Sequence, residues 1–484
     1  MSARREQAKP ASPAVANERW LGLNALPLAD QVVELVRRQA GSAVQAEVVV
    51  HAAAEALTRF ANSAIHQNVA GDTTTVRLRL HADGRTAAGS TTLTDAAGLA
   101  SLVERTIAAA RLSPPDPGWP GLAPPAPLTA AGDIDAATAE ASPADRAARV
   151  REFVRAAGGL ETAGYCRTGA VSAAFANSAG QSGEGRFAEA AMDGIARTGG
   201  ADGVARLAVG RLADLDGAVL GAQAAAKARA GARAAELPPG EYEVVLEPCA
   251  VTDLLGNLAW FGFNGKAFAE GQSFAELGAG QFDPAVTIVD DPLGRAGEPA
   301  PGLPFDLEGT PRAAVTLVRG GTTAAVTHDR YSAAQSGTAS TGHASPSSRT
   351  WGPMATHLRL EAPEHPVDTA PDPGPIAASA RPLVAAMRRG LLISDFWYTR
   401  VLDQKSLVIT GLTRNGVWLV EDGEVTGAVS NVRFTQSYPL ALGPGAVRGV
   451  GSAAVALPDR WPGGRYTTPA LHLARWNVTG NASG

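Results

Sequence analysis

A five-residue segment occurs twice in the 484-residue chain, first as Phe60-Ala-Asn-Ser-Ala64 and again as Phe175-Ala-Asn-Ser-Ala179. Both copies lie between strand-like segments, and in both a helical pattern begins some 30–40 residues later. Such a match can arise by chance in an Ala-rich chain, but the matching context favours two related α+β units. Because Asn and Ser side chains bond their own backbone, we expect both copies in turns or at exposed strand ends.

Proline-rich sequence predicts the domain boundaries. Seven prolines fall between Pro114 and Pro127, which excludes a regular helix or strand there. We therefore predict an N-terminal α+β domain over residues 21–238, with related halves at about 21–113 and 142–238 joined by residues 114–141. Residues 1–20 are polar and small and are expected to form a disordered leader. Short strands with many Gly and Pro predict a β-rich C-terminal domain over residues 239–484.

Hydrophobic periodicity predicts the elements of these domains. Residues 94–112 predict a helix with Thr94 or Asp95 as N-cap, and residues 377–393 predict another helix. Hairpin turns are predicted at the dipeptides Asp83-Gly84, Gly320-Gly321, Asn415-Gly416 and Asp422-Gly423. The predicted fold class is α+β, with a duplicated α/β N-terminal domain followed by a β-rich C-terminal domain.

Composition argues against several classes of protein. The net charge of −5 is mild, which argues against a nucleic-acid partner. No run of 18 apolar residues is present, so no membrane association through a span is expected. The N-terminus lacks the apolar core of a signal peptide, and two cysteines cannot build a disulfide framework. We therefore expect a protein of the reducing cytoplasm.

A search for catalytic motifs finds no P-loop, no Gly-x-Ser-x-Gly and no His-Glu-x-x-His. No two of the eight histidines lie three to five residues apart, so no helix turn can present two imidazoles to a metal. Cys249 has no histidine near it in sequence, so a buried inert thiol is favoured over a nucleophile. The residues alone therefore assign no catalytic group and no metal ligand.

Two segments, residues 328–343 and residues 394–400, are dense in specific polar and aromatic residues. One interpretation is a groove that holds an extended chain by backbone pairing, with aromatic and Arg side chains in side pockets. The other interpretation is an interface between domains, and the residue chemistry leaves both open. The candidates for a peptide groove are His328, Arg330, Tyr331, His343, Trp397 and Arg400.

Several further segments, in order along the chain, resemble the TldD/PmbA family, the paired subunits of a bacterial cytoplasmic metallopeptidase. The family is also called modulator of DNA gyrase. The resemblance covers roughly residues 25–455 and implies a duplicated α+β domain followed by a β-rich domain. The segments that carry it are Phe60–Ser63, the helix at 94–112, Glu241–Leu246, Val289–Pro292, Phe305–Gly309, Asp329–Ala333, Ser340–Gly342 and Leu419–Val425.

The resemblance also implies which kind of subunit this is. Catalytic members carry His-Glu-x-x-x-His after the strand that here reads Glu243–Leu246, and a late cysteine. The family's spacing places Gly256 and Phe261 where histidines would bind zinc, and Asn257 where the glutamate base would stand. None of these residue types supplies an imidazole ligand or a base. The chain therefore resembles the PmbA/TldE-type subunit, which binds no metal.

For such a subunit the resemblance implies a heterodimer with a TldD-like, zinc-bearing partner that encloses and cleaves unfolded peptides. This chain would hold no cofactor, and zinc is expected in the partner. Two alternatives remain open. The chain could be an enzyme that uses a different site in the same cavity, with Cys249, His328, His343 and Tyr331 as candidates. It could also be a homodimeric binding protein.

Overall fold

A computed structural model describes residues 25–129, 134–295, 298–363, 373–458 and 464–482. The leader predicted for residues 1–20 lies outside these residues. No helix in the described part of the chain is long and apolar enough to cross a membrane. The division into domains at residue 238 stays a prediction.

The first half of the chain forms one six-stranded antiparallel sheet in the order β3-β2-β1-β4-β5-β6. Long strands dominate it, and β1 and β4 pair along almost their whole length at its centre. The strands are β1 Gln45–Ala61, β2 Ala64–Ala82, β3 Arg85–Thr91, β4 Glu161–Asn177, β5 Ser182–Arg197 and β6 Asp202–Val209.

Four helices cover one face of this sheet, two for each set of three strands. Helices α1 (Ala25–Ala40) and α2 (Ala96–Leu112) flank β1–β3 in sequence, while α3 (Pro143–Ala156) and α4 (Gly217–Ala230) flank β4–β6. The element order helix, three strands, helix therefore occurs twice. The predicted helix at 94–112 is confirmed, with the Asp95 carboxylate accepting a hydrogen bond from the Gly98 amide at 2.7 Å.

The repeated pentapeptide lies at equivalent places in these two sets of strands. Asn62 and Ser63 form the turn between β1 and β2, with φ of 49° and 58°. Asn177 ends β4, and its side-chain oxygen accepts hydrogen bonds from the amides of Ala179 and Gln181, both at 3.0 Å. The expectation that both copies occupy turns is confirmed.

The second half of the chain contains a closed five-stranded β-barrel. Strands β12, β7, β19, β15 and β13 pair in that order, and β12 also pairs with β13, which closes the ring. Phe396, Phe434 and Trp476 pack together in its interior, with ring centroids 4.5 to 5.1 Å apart. The barrel strands are β7 Gly240–Leu246, β12 Arg389–Asp403, β13 Val408–Glu421, β15 Val432–Ser437 and β19 Leu471–Asn481. Outside the ring, β14 Glu424–Ala428 pairs with β13, and β16 Val447–Val450 pairs with β19.

A smaller mixed sheet packs beside the barrel in the order β10-β9-β8-β11-β18-β17. Its strands are β8 Ile288–Asp290, β9 Val315–Arg319, β10 Thr322–Thr323, β11 Leu358–Leu360, β17 Val455–Pro458 and β18 Arg465–Thr468. Helix α5 (Pro248–Asn257) packs between β18 and the barrel strand β12. The remaining helices have six residues or fewer and are Ala136–Ala139, Gly265–Ala269, Arg330–Gln335, Ser348–Trp351, Arg381–Ala385 and Tyr438–Ala441.

The fold is α+β, as predicted, with a duplicated α/β region followed by a β-rich region. Two predicted elements are wrong. Within residues 377–393 only Arg381–Ala385 is helical, and β12 begins at Arg389, because Leu391, Leu392 and Ile393 are buried between β7 and β13. Asn415-Gly416 is not a hairpin turn but part of an irregularity inside β13, where the pairing register with β12 shifts.

Candidate functional site

Helix α5 occupies the position where the family resemblance places a zinc motif. Strand β7 ends at Leu246, and Pro248 starts the helix without needing a backbone donor. The helix passes at Asn257 into one π-turn, Leu258–Gly262, closed by a 2.7 Å hydrogen bond from the Phe263 amide to the Leu258 carbonyl. Such turns shift the side chains that follow them onto a different face, and they are frequent at functional sites.

The three residues aligned with the zinc motif do not fit a zinc ion. Asn257 donates its side-chain amide to the backbone and side-chain oxygens of Asp253, at 2.9 and 3.1 Å. Phe261 packs against the hydrophobic core, and Gly256 has no side chain to offer. Zinc sites require thiolate, imidazole or carboxylate donors, and these positions supply none. Within the described ranges, no cluster of three or more His, Cys, Asp or Glu side chains could hold a metal.

Asp253 instead connects α5 to the barrel. Its two carboxylate oxygens accept hydrogen bonds from Tyr438 and Thr399, each at 2.8 Å. Together with the amide of Asn257, these donors occupy the carboxylate. In this chain the helix therefore uses its polar residues to fix its own position against β12 and the Tyr438–Ala441 helix.

A buried ionic network fixes the start of the same helix. Glu247, between β7 and α5, accepts hydrogen bonds from Lys227, from the Ser394 hydroxyl at 2.9 Å and from the Ala377 amide at 2.8 Å. Lys227 also donates to Ser394 at 3.0 Å. Next to it, Arg206 pairs with Asp193 and Asp395 at 2.8 and 2.9 Å.

Cys249 lies beside this network on the first turn of α5. Burial raises the pKa of its thiol, and the nearby Arg206 only partly opposes that effect. A thiol with a raised pKa is protonated near neutrality and is a weak nucleophile. These surroundings support the expectation of an unreactive thiol.

Four of the six predicted groove residues lie close to one another, near the short helix Arg330–Gln335. His328 is buried, its Nδ1 lies 3.1 Å from the Ser332 hydroxyl, and burial lowers its pKa. Arg330 donates to the backbone carbonyls of Pro120, Gly121 and Leu122. It therefore ties the proline-rich linker to the second half of the chain.

His343 belongs to a separate buried pair in the same region. Its Nε2 lies 2.9 Å from Asp290 and its Nδ1 lies 2.9 Å from the Thr341 hydroxyl. Burial opposes ionisation of Asp290, but the hydrogen bond and charge of His343 and the charge of Arg312 hold the pKa of this aspartate well below its ordinary value. Both imidazoles are thus buried and bonded, so neither is presented to solvent for chemistry.

The other two predicted residues lie elsewhere, on strand β12 of the barrel. Trp397 is 44% exposed, and the Arg414 guanidinium lies 4.5 Å from its ring centroid. Arg400 lies 4.2 Å from the ring centroid of Tyr398. Trp397 lines an open groove of about 1190 Å³ between β13 and the β5–β6 turn. The structure therefore does not bring the six predicted residues into one site.

Tyr331, the remaining member of the first group, lines a cleft of about 300 Å³ between the two halves of the chain. Most residues of this cleft were not predicted from the sequence. At its base Arg79 pairs with Glu47 and, at 2.8 Å, with Glu308, which joins β1 and β2 to the second half. A signal was present, because Val76, Leu78 and Leu80 alternate with Arg77 and Arg79 and so place both arginines on the face away from the helices.

Burial dominates the electrostatics of this cleft. It raises the pKa of Glu47 to about 7, even though Arg79 favours the charged form. Burial and the neighbouring Glu308 likewise raise the pKa of Asp306 to about 7, against hydrogen bonds from the amides of Ala344, Glu308 and Thr310. Glu47 in the cleft and Asp306 in the second half of the chain therefore both have raised pKa values.

Comparison with solved structures finds the same fold over almost the whole chain. TldE from Thermococcus kodakarensis is 17% identical, with a TM-score of 0.79 over 94% of this chain and 100% of that one. Proposed modulators of DNA gyrase from Thermotoga maritima and Bacteroides thetaiotaomicron are each 18% identical, with a TM-score of 0.75. These matches cover 94% of this chain and 99% and 98% of theirs, respectively. At these identities they establish the fold alone.

Sequence models of protein families give the assignment. The model of the PmbA/TldA metallopeptidase C-terminal domain matches residues 239–480, and that of PmbA/TldA metallopeptidase domain 1 matches residues 46–110. No functionally curated protein matches the sequence significantly. The C-terminal match spans half of the chain and contains both the barrel and helix α5, so this chain belongs to the TldD/PmbA family.

Proposed function

We propose that this chain is the metal-free subunit of a cytoplasmic, heterodimeric metallopeptidase, paired with a TldD-like subunit that carries the zinc. The observation that carries the proposal is the chemistry of α5 at the aligned positions. Gly256, Asn257 and Phe261 offer no zinc donor, and the Asn257 amide is occupied by Asp253. In such a complex the bond-breaking step belongs to the partner, whose zinc would supply an activated water.

The contribution of this chain would be to hold and enclose the substrate. The open groove of about 1190 Å³ beside β13 would receive an extended peptide, and Trp397 and Arg414 present an aromatic ring and a guanidinium to it. Contacts to main chain and to single side pockets accept many sequences. An enclosed cavity admits unfolded peptides and excludes folded proteins. The similarity to the fold of TldE supports this assignment.

The test is reconstitution with a TldD-like chain that contains His-Glu-x-x-x-His. Each chain is purified alone and after co-expression, its zinc content is measured by mass spectrometry, and cleavage of a denatured, fluorescently labelled casein is followed. We expect no bound zinc and no cleavage with this chain alone, and zinc-dependent cleavage by the co-purified pair. A partner with its motif glutamate changed to glutamine should still bind this chain but not cleave.

Two results would contradict the proposal. One is stoichiometric zinc in this chain alone, together with cleavage that a chelator abolishes. The other is a stable homodimer that does not exchange with the TldD-like chain. That second result would favour a homodimeric enzyme or binding protein acting through another site.

A further inference from the structure

The cleft that contains Tyr331 has one charged side chain, Arg77, that makes no ion pair or hydrogen bond within the described part of the chain. Seven charged residues line it, and four of them form ion pairs or hydrogen bonds deep in the cleft. Glu47 and Glu308 both pair with Arg79, and Asp329 accepts hydrogen bonds from the Ser332 amide and hydroxyl, each at 2.7 Å. Each of these four side chains thus has a partner within the protein.

Two further charges meet at the rim of the cleft. Arg349 lies 3.4 Å from Asp116, and its guanidinium lies 3.8 Å from the ring centroid of Tyr331. The seventh charge is Arg77 on β2, whose guanidinium has no ion pair or hydrogen bond with any residue that the structure describes. Burial and the neighbouring Arg79 lower the pKa of Arg77, and the charge of Glu47 opposes them only in part.

The counter-charge of this half-buried guanidinium, Glu47, is already paired with Arg79. A buried cation that makes no ion pair or hydrogen bond of its own is only weakly stabilised in a folded protein. The cleft has room for a small anionic molecule, because its volume of about 300 Å³ lies at the lower end of the range for small-molecule sites. Part of its wall is apolar and consists of Pro114, Pro120, Pro346 and the rings of Trp119 and Tyr331. Trp119 is held in place by a 2.6 Å hydrogen bond from its indole nitrogen to Gln45.

We propose that this cleft binds a small carboxylate, with the carboxylate group on Arg77 and an apolar group against the proline and aromatic walls. A planar guanidinium matches the two oxygens of a carboxylate and can donate to both. Arg349 at the rim adds a second positive charge close to the entrance. The site is independent of the proposed heterodimer, because every residue in it belongs to this chain.

Isothermal titration calorimetry on the full-length chain tests this directly. The probes are N-acetylphenylalanine, its neutral amide and inorganic phosphate. We expect the acid to bind measurably and the amide to bind at least tenfold more weakly, because a charge-assisted pair is lost. Equal binding of acid and amide, or binding of phosphate in preference to the acid, would overturn the proposal.

Two variants locate the effect at Arg77. Arg77→Gln should weaken binding of the acid about tenfold or more. Arg105→Gln, at an exposed position on α2, is the matched control and should bind like the wild type. Unchanged affinity in Arg77→Gln would contradict the assignment of the site.

A stability measurement separates a binding role from a structural one. Arg77→Met replaces an unpaired cation by an apolar side chain of similar length, so without ligand its melting temperature should equal or exceed that of the wild type. The acid should stabilise the wild type and not this variant. A clear loss of stability in Arg77→Met would show that Arg77 has a structural partner, and it would also overturn the proposal.

Discussion

Lys227 on α4 and Glu247 at the start of α5 form a buried ion pair, although they come from different halves of the chain. Both side chains are almost fully buried, at 4% and 1% exposure, and Ser394 on β12 hydrogen-bonds to both. The pair therefore fixes the helix that carries Gly256 and Asn257 relative to the N-terminal sheet. The same pair also sets the position of the barrel relative to the N-terminal sheet.

Breaking this pair should be costly. Lys227→Met leaves the Glu247 carboxylate buried without its counter-charge, so we expect a loss of about 3–5 kcal/mol in the free energy of unfolding. Chemical denaturation followed by circular dichroism measures it. Lys405→Met, at an exposed lysine, is the control and should change stability by less than about 0.5 kcal/mol. A loss below about 1 kcal/mol in Lys227→Met would mean that the pair is not buried in solution.

The Asp290–His343 pair should stabilise the protein in a pH-dependent way. The pKa of Asp290 is held below its ordinary value, so its contribution is fully present above about pH 4 and is lost as the pH falls further. Asp290→Asn should therefore destabilise the protein by about 3 kcal/mol at pH 7 and by somewhat less at pH 3, where part of this contribution is lost. Denaturation curves at both pH values check this, with Asp72→Asn as an exposed control. An equal loss of unfolding free energy at both pH values would contradict the expected pH dependence.

Glu47 should make the stability of the protein depend on pH in the opposite direction to Asp290. Burial raises its pKa from 4.5 to about 7, so the folded state binds more protons than the unfolded chain between these values. Stability due to this group therefore falls as the pH rises from 4.5 to about 7. Glu47→Gln cannot ionise, so relative to the wild type it should gain stability between pH 5 and pH 8. Melting temperatures at both values provide the test, and a relative loss over that range would disprove it.

Trp397 should matter for substrate and little for stability. Its ring is 44% exposed beside Arg414, so Trp397→Ala should change the free energy of unfolding by less than about 1 kcal/mol. In the reconstituted peptidase we expect this variant to raise KM for the casein substrate severalfold. Trp351→Ala, which removes a tryptophan that is 60% exposed outside the groove, is the control. Equal effects of the two substitutions on KM would argue against substrate binding in the groove.

Neighbouring residues in the sequence were sufficient to predict the structure where it depends on local backbone geometry. The Asp83-Gly84, Gly320-Gly321 and Asp422-Gly423 hairpins form as predicted, because both residues of each adopt the positive φ that such turns need. Asn415 and Gly416 also have positive φ, but β13 continues through them. The Asn415 amide donates to Asp395 on β12, so tertiary pairing uses the same backbone shape for an irregularity instead of a turn.

Long-range partners were beyond the reach of the sequence pattern. Residues 377–393 contain apolar residues at helical spacing, yet Leu391–Ile393 pair with β7, which lies some 150 residues earlier in the chain. The Glu47–Arg79–Glu308 cluster likewise joins residues far apart in the chain. Periodicity placed Arg77 and Arg79 on one face of β2 but carried no information on what that face would meet.

Closure of the barrel has a consequence for how the chain folds during synthesis. The six-stranded sheet uses residues no later than Val209, so it can assemble while the ribosome is still translating the second half. In the barrel, β7 pairs with β19, so its first strand lacks one neighbour until Leu471–Asn481 has emerged. We expect the barrel half to depend on chaperones or on slow post-translational closure, because such distant pairings are made last.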